Sequence, residues 1–330
     1  MSMTTLGLTP RISVVIPARN QLESLKKVLH ALERQDCSRY SFEVIVVDDR
    51  STDDTARYLL VFCKETNMNC RILQGSGVSA GEARNQGVAE AQGEYILFLD
   101  ADTIPNRDLV RRHLQLQNGI SGDKECIIGR VSMSPDLAVI NQARLWETEL
   151  NVKKKQLQEV EWWIFRTANT SLSRAKYIEC GGFNSRLVAA EDTEIASRLS
   201  KAGVRFYYDH LIKAVHYHPM SLLDFMRKGS MYGKAVACWY REAPELRKAL
   251  AARYGVYAFE ISRLKKLKYI FRALFVNRLT MPFIIFLGQA LRSIFFEVSD
   301  RLYWCAYKYR IRRAFRDWLS SPSQVGTVSN

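Results

Sequence analysis

The sequence predicts an α/β fold, in which a mostly parallel central sheet is flanked by helices and followed by a helical, basic C-terminal region. Short β-branched runs alternate with amphipathic helical patterns, which is the arrangement that gives parallel sheets. The charge is uneven, because residues 221–330 contain 20 Lys+Arg and 7 Asp+Glu and therefore hold +13 of the net charge of +14. With 330 residues and 47% hydrophobic content, the chain is long enough to bury a large core.

The predicted elements follow one another in regular order. Runs rich in β-branched and aromatic residues predict strands at Ile12–Ile16, Phe42–Val47, Arg71–Leu73 and Tyr95–Leu99. The segments between them predict helices: one follows Pro17, one is capped by Ser51–Asp54, and one covers Gly81–Ala91. Later in the chain, Glu191 opens a predicted helix and Val204–Tyr208 forms a short strand.

These patterns divide the chain into parts. Residues 1–10 are expected to be a flexible N-terminus, and residues 320–330 are expected to be a disordered tail. Residues 11–220 form the predicted α/β domain, and residues 221–319 form the helical basic region.

The cysteines and the apolar runs of the sequence indicate the cellular compartment that is expected for the protein. Seven scattered cysteines without a Cys-x-x-Cys pair predict neither a zinc site nor a disulfide framework, and they favour a reducing cytosol. Met1–Pro10 lacks the charged start and apolar core of a signal peptide, so export is not expected. Leu279–Leu291 is an uncharged apolar run of 13 residues, whereas a spanning helix needs about 20. This run is therefore expected to be buried, re-entrant or interfacial.

Two carboxylates follow the strand Tyr95–Leu99. Asp100 and Asp102 are separated by one residue, and side chains two apart on a strand point to the same side. A hard divalent cation such as Mg²⁺ or Mn²⁺ would relieve their repulsion, and it would also neutralise a diphosphate leaving group. An isolated Asp-x-Asp before Pro105 can also be a turn cap, so the metal site depends on the other motifs.

A second acidic pair follows the second strand. The oxygens of Asp48 and Asp49 suit a uracil N–H or ribose hydroxyls, although turn and helix caps use the same residues. Arg84 lies in the helix before the Asp100 strand. It could reach a phosphate or a base, and the alternative is a solvated helix arginine.

Glu191 and Asp192 lie at the start of a predicted helix, where the helix dipole stabilises negative charge, so a purely structural role stays open. Sugar transfer with inversion is a reaction that needs one carboxylate to accept the proton of the attacking hydroxyl, while a separate group stabilises the departing phosphate. Asp192 suits the first role. His216 lies in an extended segment, and its imidazole would suit a metal site formed by two aspartates.

The motifs occur together in a recognisable order. They are Pro17-x-x-Asn20, Val47-Asp48-Asp49-x-Ser51-x-Asp53, Ala83-Arg84-Asn85-x-Gly87, Phe98-Leu99-Asp100-x-Asp102, Gly181-Gly182-Phe183 and Glu191-Asp192-x-Glu194. With this order and spacing, Ile12–Pro219 resembles glycosyltransferase family 2, whose members have the GT-A fold. The resemblance implies an inverting transferase that moves a sugar from a nucleotide diphosphate to a hydroxyl of a glycan or lipid-linked intermediate. Because the Gln-x-x-Arg-Trp motif of processive synthases is absent, a single addition is expected.

The resemblance also implies roles for individual residues. Within a nucleotide-binding half at 11–105, the nucleotide-sugar donor would be bound by Pro17, Ala18, Asn20, Asp48, Asp49, Arg84 and Asp100. Within an acceptor half at 106–220, the glycan or glycolipid acceptor would be bound by Trp162, Trp163, Asn169 and Gly182. Mn²⁺ or Mg²⁺ would be held by Asp100, Asp102 and His216. Asp192 would be the general base, with Glu191 beside it.

The basic C-terminal region has two interpretations. Ile261–Phe275 and Arg310–Trp318 mix Lys/Arg with apolar residues at helical spacing. Helices within 261–318 could lie in an anionic membrane surface, or they could pack on the catalytic domain with a basic outer face. The first interpretation predicts a cytoplasmic protein held peripherally at the inner face of the cell membrane. Nucleic acid is not expected as a partner, because no recognised motif accompanies the charge.

Two other classes of function fit parts of this pattern. A non-catalytic scaffold of the same fold could bind nucleotide or membrane, but Asp100, Asp102 and Asp192 are all present. Nucleotidyl transfer on a related fold would require a glycine-rich phosphate loop, and Pro17–Leu22 contains no glycine.

Overall fold

The computed structural model of the chain describes residues 9–39, 41–119, 124–134, 156–185, 187, 190–217, 221–244, 247, 250 and 275–320. These residues belong to two compact units, one with the described residues up to 217 and the other with those from 221 onward. Each unit has a hydrophobic core of its own.

The described strands of the first unit form one mixed sheet. They are β1 (Ile12–Ala18), β2 (Phe42–Asp48), β3 (Cys70–Gln74), β4 (Tyr95–Leu99), β5 (Thr103–Pro105), β6 (Glu125–Met133), β7 (Gln158–Val160), β8 (Asn169–Ser173) and β9 (Arg205–His216). Their order is β3-β2-β1-β4-β8-β6-β9-β5, and β7 pairs with β9. The first four strands in this order are parallel to one another, and β6 is parallel to β9. The antiparallel pairs all involve β5, β7 or β8.

Helices flank this sheet, as the sequence predicted. Those of the first unit are α1 (Leu22–Glu33), α2 (Thr55–Glu65), α3 (Ala80–Ala89), α4 (Leu109–Gly119), α5 (Arg174–Glu179) and α6 (Glu191–Lys201). A short 3-10 turn covers Trp162–Ile164. The described helices of the second unit are α7 (Leu222–Glu242), α8 (Met281–Leu291) and α9 (Phe296–Leu319).

The parallel strands are buried on both faces. Every residue of β1, β2 and β4 is buried, which explains why each was a continuous apolar run in the sequence. The helix α1 buries one stripe of residues at helical spacing, namely Leu25, Val28, Leu29 and Leu32. Because β1 pairs in parallel with both β2 and β4, the polar residues after these three strands lie at one edge of the sheet.

Two features differ from the prediction. The last strand runs from Arg205 to His216 rather than from 204 to 208, because its pairing with β6 continues past an irregularity after Gly129. Polar residues in the second half of β9 had hidden this extension. Cys63 and Cys70 form a disulfide with a Cα–Cα distance of 5.6 Å, which corrects the prediction that no cysteines pair. The disulfide joins the last turn of α2 to the start of β3.

The second unit is helical, and its helices approach closely at glycines. A Cβ added to Gly233 of α7 would lie 2.3 Å from the carbonyl oxygen of Ile311 in α9. A Cβ added to Gly288 of α8 would lie 2.7 Å from the ring of Tyr303 in α9. Close backbone contact therefore fixes both α7 and α8 against α9.

The apolar run Leu279–Leu291 corresponds mainly to α8. Only Met281 and Gly288 are buried within this helix, so of the three predicted alternatives a fully buried segment is excluded. No helix among the described residues is long and apolar enough to cross a bilayer. Most of the basic segment Ile261–Phe275 lies outside the described residues, as does the tail from 321 to 330.

Candidate active site

The loop after β1 is held to the loop after β2. Asn20 has a positive φ of 52°, and its Oδ1 accepts a hydrogen bond from the backbone N of Thr52 at 2.7 Å. Pro17 and Ala18 are buried at the end of β1, where the carbonyl oxygen of Ala18 accepts from the backbone N of Asp49 at 2.8 Å. These three predicted donor-binding residues therefore fix the positions of the two loops.

Asp48 and Asp49 are both buried at this edge. The Oδ1 of Asp48 accepts from the backbone N of Ser51 at 3.2 Å, and the Oδ1 of Asp49 accepts from the backbone N of Gly77 at 2.6 Å. A Cβ added to Gly75 would lie 2.6 Å from the Oδ1 of Asp49. Position 75 therefore requires glycine, because any side chain would collide with this carboxylate. Each aspartate therefore makes a turn bond, and the bond orients its carboxylate at the end of β2.

Arg84 connects the two acidic motifs that are remote in sequence. The helix α3 begins with a cap from Ser79 and buries Arg84, whose side chain is only 5% exposed. The Nη2 of Arg84 donates to the Oδ1 of Asp100 at 2.7 Å, and its Nη1 donates to the Oε1 of Glu191 at 3.4 Å. Arg84 is therefore not a solvated helix arginine. It brings the end of β4 and the start of α6 together.

Asp102 and His216 are neighbours because β5 pairs with the end of β9. The Oδ1 of Asp102 lies 3.3 Å from the Nε2 of His216, and its Oδ2 accepts from the Nε2 of Gln21 at 3.2 Å. The backbone N of Tyr217 donates to the carbonyl oxygen of Asp102 at 2.6 Å. The edge strand therefore holds the His216 imidazole against the buried carboxylate of Asp102.

The donor set can be tested for a divalent ion. Among the described residues, no group of three or more His, Cys, Asp or Glu side chains is arranged to hold a metal. Asp100, the expected third ligand, is hydrogen-bonded to Arg84. Asp102 and His216 still offer one oxygen and one nitrogen donor, which suit Mn²⁺, and phosphate oxygens and water commonly complete such sites. These two residues fit a metal that binds together with a diphosphate.

The helix α6 begins directly after Ala190, which has a positive φ of 62°. Asp192 is the second residue of this helix. Its Oδ1 accepts from the backbone N of Thr193 at 2.7 Å. Its Oδ2 lies 3.7 Å from an Nη of Arg166. The side chain of Asp192 is 12% exposed, so it keeps a small accessible surface beside a cation.

Glu191 has an unusual electrostatic environment. Burial raises the pKa of the Glu191 carboxyl, and the negative charge of Asp192 raises it further, while the guanidinium of Arg84 acts in the opposite direction. The two carboxyls at the start of α6 therefore have different cationic neighbours: Arg84 contacts Glu191, and Arg166 lies near Asp192.

Two of the predicted acceptor-binding residues lie near the start of α6. Trp162 and Trp163 are half-buried, their ring centroids lie 5.7 Å apart, and the turn that contains them packs on α6. Arg166 follows the same turn and reaches Asp192. The turn that contains the aromatic pair therefore packs on the helix that carries the candidate base.

Gly182 has a positive φ of 64°, and an added Cβ would lie 2.7 Å from the Oδ1 of Asn85. Asn85 donates to the carbonyl oxygen of Phe183 and accepts from its backbone N, both at 2.9 Å. Gly182 is therefore required where α3 meets the Gly-Gly-Phe turn.

Asn169, which was predicted to bind the acceptor, is buried in this structure. Its side chain is 1% exposed, and its Nδ2 donates to the carbonyl oxygens of Arg130 and Ile212, each at 3.3 Å. Its Oδ1 lies 2.9 Å from the Nε2 of His113. Because a buried amide must satisfy its hydrogen bonds, Asn169 serves to join β8 to β6, β9 and α4.

The sequence analysis missed the partners of Asn169. The Nδ1 of His113 lies 2.8 Å from the Oγ of Ser171, which also accepts from the Nε2 of Gln117 at 2.8 Å. His113 lies in α4 between the buried residues Val110 and Leu114. Its position on the apolar face of that helix was the signal that could have identified it.

His113 should make the stability of the first unit depend on pH. Burial lowers the pKa of His113 to about 4, below its unfolded value of about 6.5. Stability should therefore be full above pH 6.5 and should fall as the pH is lowered towards 4, by about 3 kcal/mol in total. Urea unfolding from pH 7.5 to 4.5 measures this loss. His113→Gln should flatten the dependence, whereas His30→Gln, at an exposed position, should not.

With the geometry described, the chain can be compared with known proteins. The fold is the GT-A fold of glycosyltransferases, with acidic motifs at the carboxyl edge of the sheet. The sequence profile described as Glycosyl transferase family 2 matches residues 13–180, which is half of the chain. The chain therefore belongs to glycosyltransferase family 2, and the predictions of family and fold class are confirmed.

Relatives of known name share parts of the chain. Poly(ribitol-phosphate) β-N-acetylglucosaminyltransferase TarS from Staphylococcus aureus is 32% identical over 101 residues, which cover 31% of this chain and only 18% of TarS. The amylovoran biosynthesis glycosyltransferase AmsB from Erwinia amylovora is 29% identical over 200 residues, covering 59% of this chain and 65% of AmsB. The matches therefore cover less than two thirds of the length of each of these relatives.

A solved structure resembles most of the chain. The mannosyltransferase PcManGT from Pyrobaculum calidifontis, solved in complex with GDP-Man and Mn²⁺, superposes with a TM-score of 0.66. The superposition covers 95% of this chain and 88% of PcManGT at 19% sequence identity. At this identity, the similarity establishes a shared fold.

Proposed function

We propose that the protein transfers a sugar from a nucleotide diphosphate donor to a hydroxyl of an acceptor, with inversion at the anomeric carbon. The observation that carries this proposal is the position of Arg84, which contacts Asp100 at the end of β4 and Glu191 at the start of α6. The acidic group suited to the leaving diphosphate and the acidic group suited to proton transfer therefore face one site.

Asp192 is the general base of the proposed reaction. It lies beside Glu191, whose pKa is raised by burial and which is engaged by Arg84. The Oδ1 of Asp192 is held by Thr193, which leaves Oδ2 nearest to Arg166. In the proposed reaction, Asp192 would accept the proton of the acceptor hydroxyl, and the aromatic pair Trp162 and Trp163 would support the sugar.

The donor would bind along the edge formed by β1, β2 and β4. Asp48 and Asp49 would accept hydrogen bonds from the base and ribose, because carboxylates offer only acceptors. Asp102 and His216 would hold Mn²⁺ or Mg²⁺, and Asp100 would join them if Arg84 moves to the donor phosphates. Such a metal, when bound, supplies charge that stabilises a departing diphosphate.

The acceptor is proposed to be a glycan or a lipid-linked glycan that receives one sugar. Two relatives are named for poly(ribitol-phosphate) and for amylovoran biosynthesis, which supports a role in polysaccharide biosynthesis. The basic residues after 221 support peripheral association with the inner face of the cell membrane, because an anionic leaflet attracts clustered Lys and Arg.

A donor panel tests the proposal directly. The purified full chain, supplied with Mn²⁺ and one sugar nucleotide at a time, should release nucleoside diphosphate from one donor or from a few chemically related donors. Release should increase when the correct acceptor is added. If no donor is turned over while nucleoside diphosphate still binds, the result would favour a non-catalytic nucleotide-binding scaffold.

Removing the proposed metal ligands should have a defined effect. EDTA should abolish nucleotide release, and added Mn²⁺ should restore it. Asp102→Asn should raise the Mn²⁺ concentration that gives half-maximal release by at least about tenfold, because it removes one of two aligned donors. The matched control is Asp54→Asn, at an exposed aspartate before α2 that makes no side-chain cap bond. An unchanged Mn²⁺ requirement in Asp102→Asn would remove this residue from the metal site.

A further inference from the structure

A concentrated apolar surface lies on α8 and its flanking residues. Among the described residues, 14 large hydrophobic side chains are exposed, and eight of them lie between 275 and 298. We call these eight the apolar face: Phe275, Leu279, Phe283, Phe286, Ile294, Phe295, Phe296 and Val298. Single exposed apolar residues are normal on protein surfaces, but a concentration of this kind marks an interaction surface.

The opposite side of α8 is anchored in the core of its own unit. Met281 belongs to that core, and Ile284 and Ile285 pack against it. By contrast, Phe283 and Phe286 are 63% and 64% exposed, one helical turn apart. The helix therefore has an inner face that holds it in place and an outer aromatic face that no described residue covers.

Arginines lie directly beside the aromatic face. A cavity of about 390 Å³ between α8 and α9 is lined by Arg278, Met281, Pro282, Ile285, Phe286, Gln289, Tyr309, Arg310 and Arg313. The guanidinium of Arg313 lies 3.6 Å from Asp317. No described carboxylate lies within ion-pair distance of Arg278 or Arg310. The cavity therefore combines an apolar wall with guanidinium groups that can bind an anion.

We propose that α8 inserts its apolar face into the interfacial layer of an anionic bilayer, while the cavity between α8 and α9 binds the phosphate of an anionic phospholipid. The length of α8, 11 residues, supports an interfacial position, because such a helix extends about 16 Å and cannot span a hydrocarbon core of about 30 Å. This inference deepens the membrane association proposed above and rests on it, but it does not depend on the assignment of the catalytic residues.

Charge complementarity favours a bilayer over a second copy of the chain. In a twofold contact the same patch meets itself, so one interface would contain two sets of Arg278, Arg310 and Arg313. Like charges at an interface are unfavourable unless anions separate them. An anionic leaflet instead supplies phosphates at the level of the arginines and acyl chains at the level of the phenylalanines.

Vesicle sedimentation of the full chain tests the proposal. One vesicle contains phosphatidylcholine alone, and the other contains phosphatidylcholine with about a third phosphatidylglycerol. The wild type should sediment with the anionic vesicles and much less with the neutral ones. Phe283→Ser/Phe286→Ser should lower partitioning into the anionic vesicles by at least about tenfold. The matched control is Leu60→Ser/Val61→Ser, which changes two exposed apolar residues of α2 and should have no effect.

The arginines are tested separately. Arg278→Gln/Arg310→Gln should lower partitioning into anionic vesicles by about tenfold, with little change for neutral vesicles and a weaker salt dependence. The matched control is Arg57→Gln/Lys64→Gln on the exposed surface of α2, which should behave as wild type. Equal losses in this pair and in the Arg278/Arg310 variant would show only a general effect of net charge, which would overturn the phosphate site.

Other outcomes would also overturn the inference. A wild type that stays in the supernatant with both vesicles would exclude the membrane. A dimer that Phe283→Ser/Phe286→Ser converts to a monomer, with unchanged vesicle binding, would assign the apolar face to a second copy. Nucleotide release without vesicles is measured on the same samples, and the Phe283/Phe286 variant should retain it. Loss of transfer with intact vesicle binding would contradict only the proposed function.

Discussion

Replacing Asp192 by Asn should lower kcat for sugar transfer by about 10² to 10⁴-fold, which is the usual contribution of a general base. Asparagine has nearly the same shape and can still accept the hydrogen bond from Thr193, but it cannot take the proton of the acceptor hydroxyl. Binding of nucleoside diphosphate, measured by calorimetry, should change little, because the candidate donor residues lie on other elements.

The comparison with Glu191→Gln sharpens this test. Glu191 is buried against Arg84, so its replacement should affect stability and donor affinity more than the proton-transfer step. A pH profile distinguishes the two residues: Asp192→Asn should remove the acidic limb of the kcat profile, and Glu191→Gln should retain it. Equal transfer rates in wild type and Asp192→Asn would withdraw Asp192 as the base.

Replacing Arg84 by Met should destabilise the first unit by about 3 to 5 kcal/mol, because loss of one member of a buried ion pair leaves an uncompensated charge. Asp100 and Glu191 both contact the guanidinium, and the Arg84 side chain is only 5% exposed. Urea unfolding at pH 7.5 measures the loss. The loss should become smaller as the pH falls, because a carboxyl whose pKa is raised is readily protonated.

Two further variants control this prediction. Arg84→Met/Glu191→Gln should recover part of the loss, because the second change removes one of the unpaired charges. Arg11→Met breaks an exposed ion pair with Glu94, whose side chains are 51% and 57% exposed, and should cost less than about 1 kcal/mol. If Arg84→Met costs no more than Arg11→Met, then Arg84 does not hold the two acidic motifs together.

The sheet could be predicted from the sequence where the strands are buried on both faces. The runs at β1, β2 and β4 contain apolar residues at nearly every position, so their period and length were clear. The strand β8 has the sequence NTSLS, and it is nevertheless fully buried. His113 and Gln117 of α4 form hydrogen bonds with Asn169 and Ser171, and no pattern within β8 itself indicates these partners.

The acidic residues of the candidate site could be predicted because their motifs combine type, spacing and order. Which of these residues contact one another could not be predicted, because such contacts join distant parts of the chain. Arg84 illustrates this limit: its position in α3 was clear, but its burial between Asp100 and Glu191 follows from the packing of three elements. Asn169 illustrates a different limit, since a polar residue that was predicted to bind the acceptor is only 1% exposed in the structure.

The exposure of α8 is a third case. The uncharged and mostly apolar sequence of α8 predicted that this segment avoids water. It did not predict whether the segment contacts protein or lipid. The structure shows that half of this helix packs on its own unit and half does not. The composition of a segment indicates how strongly it avoids water. What the segment contacts depends on the residues that pack around it.

Arg84 and Asn85 are adjacent in α3, yet one contacts the carboxylates and the other holds the turn that contains Gly182. Inserting or deleting a single residue upstream within this helix would rotate both by about 100°, and both sets of contacts would be lost together. Divergent descendants of this chain should therefore keep α3 at constant length.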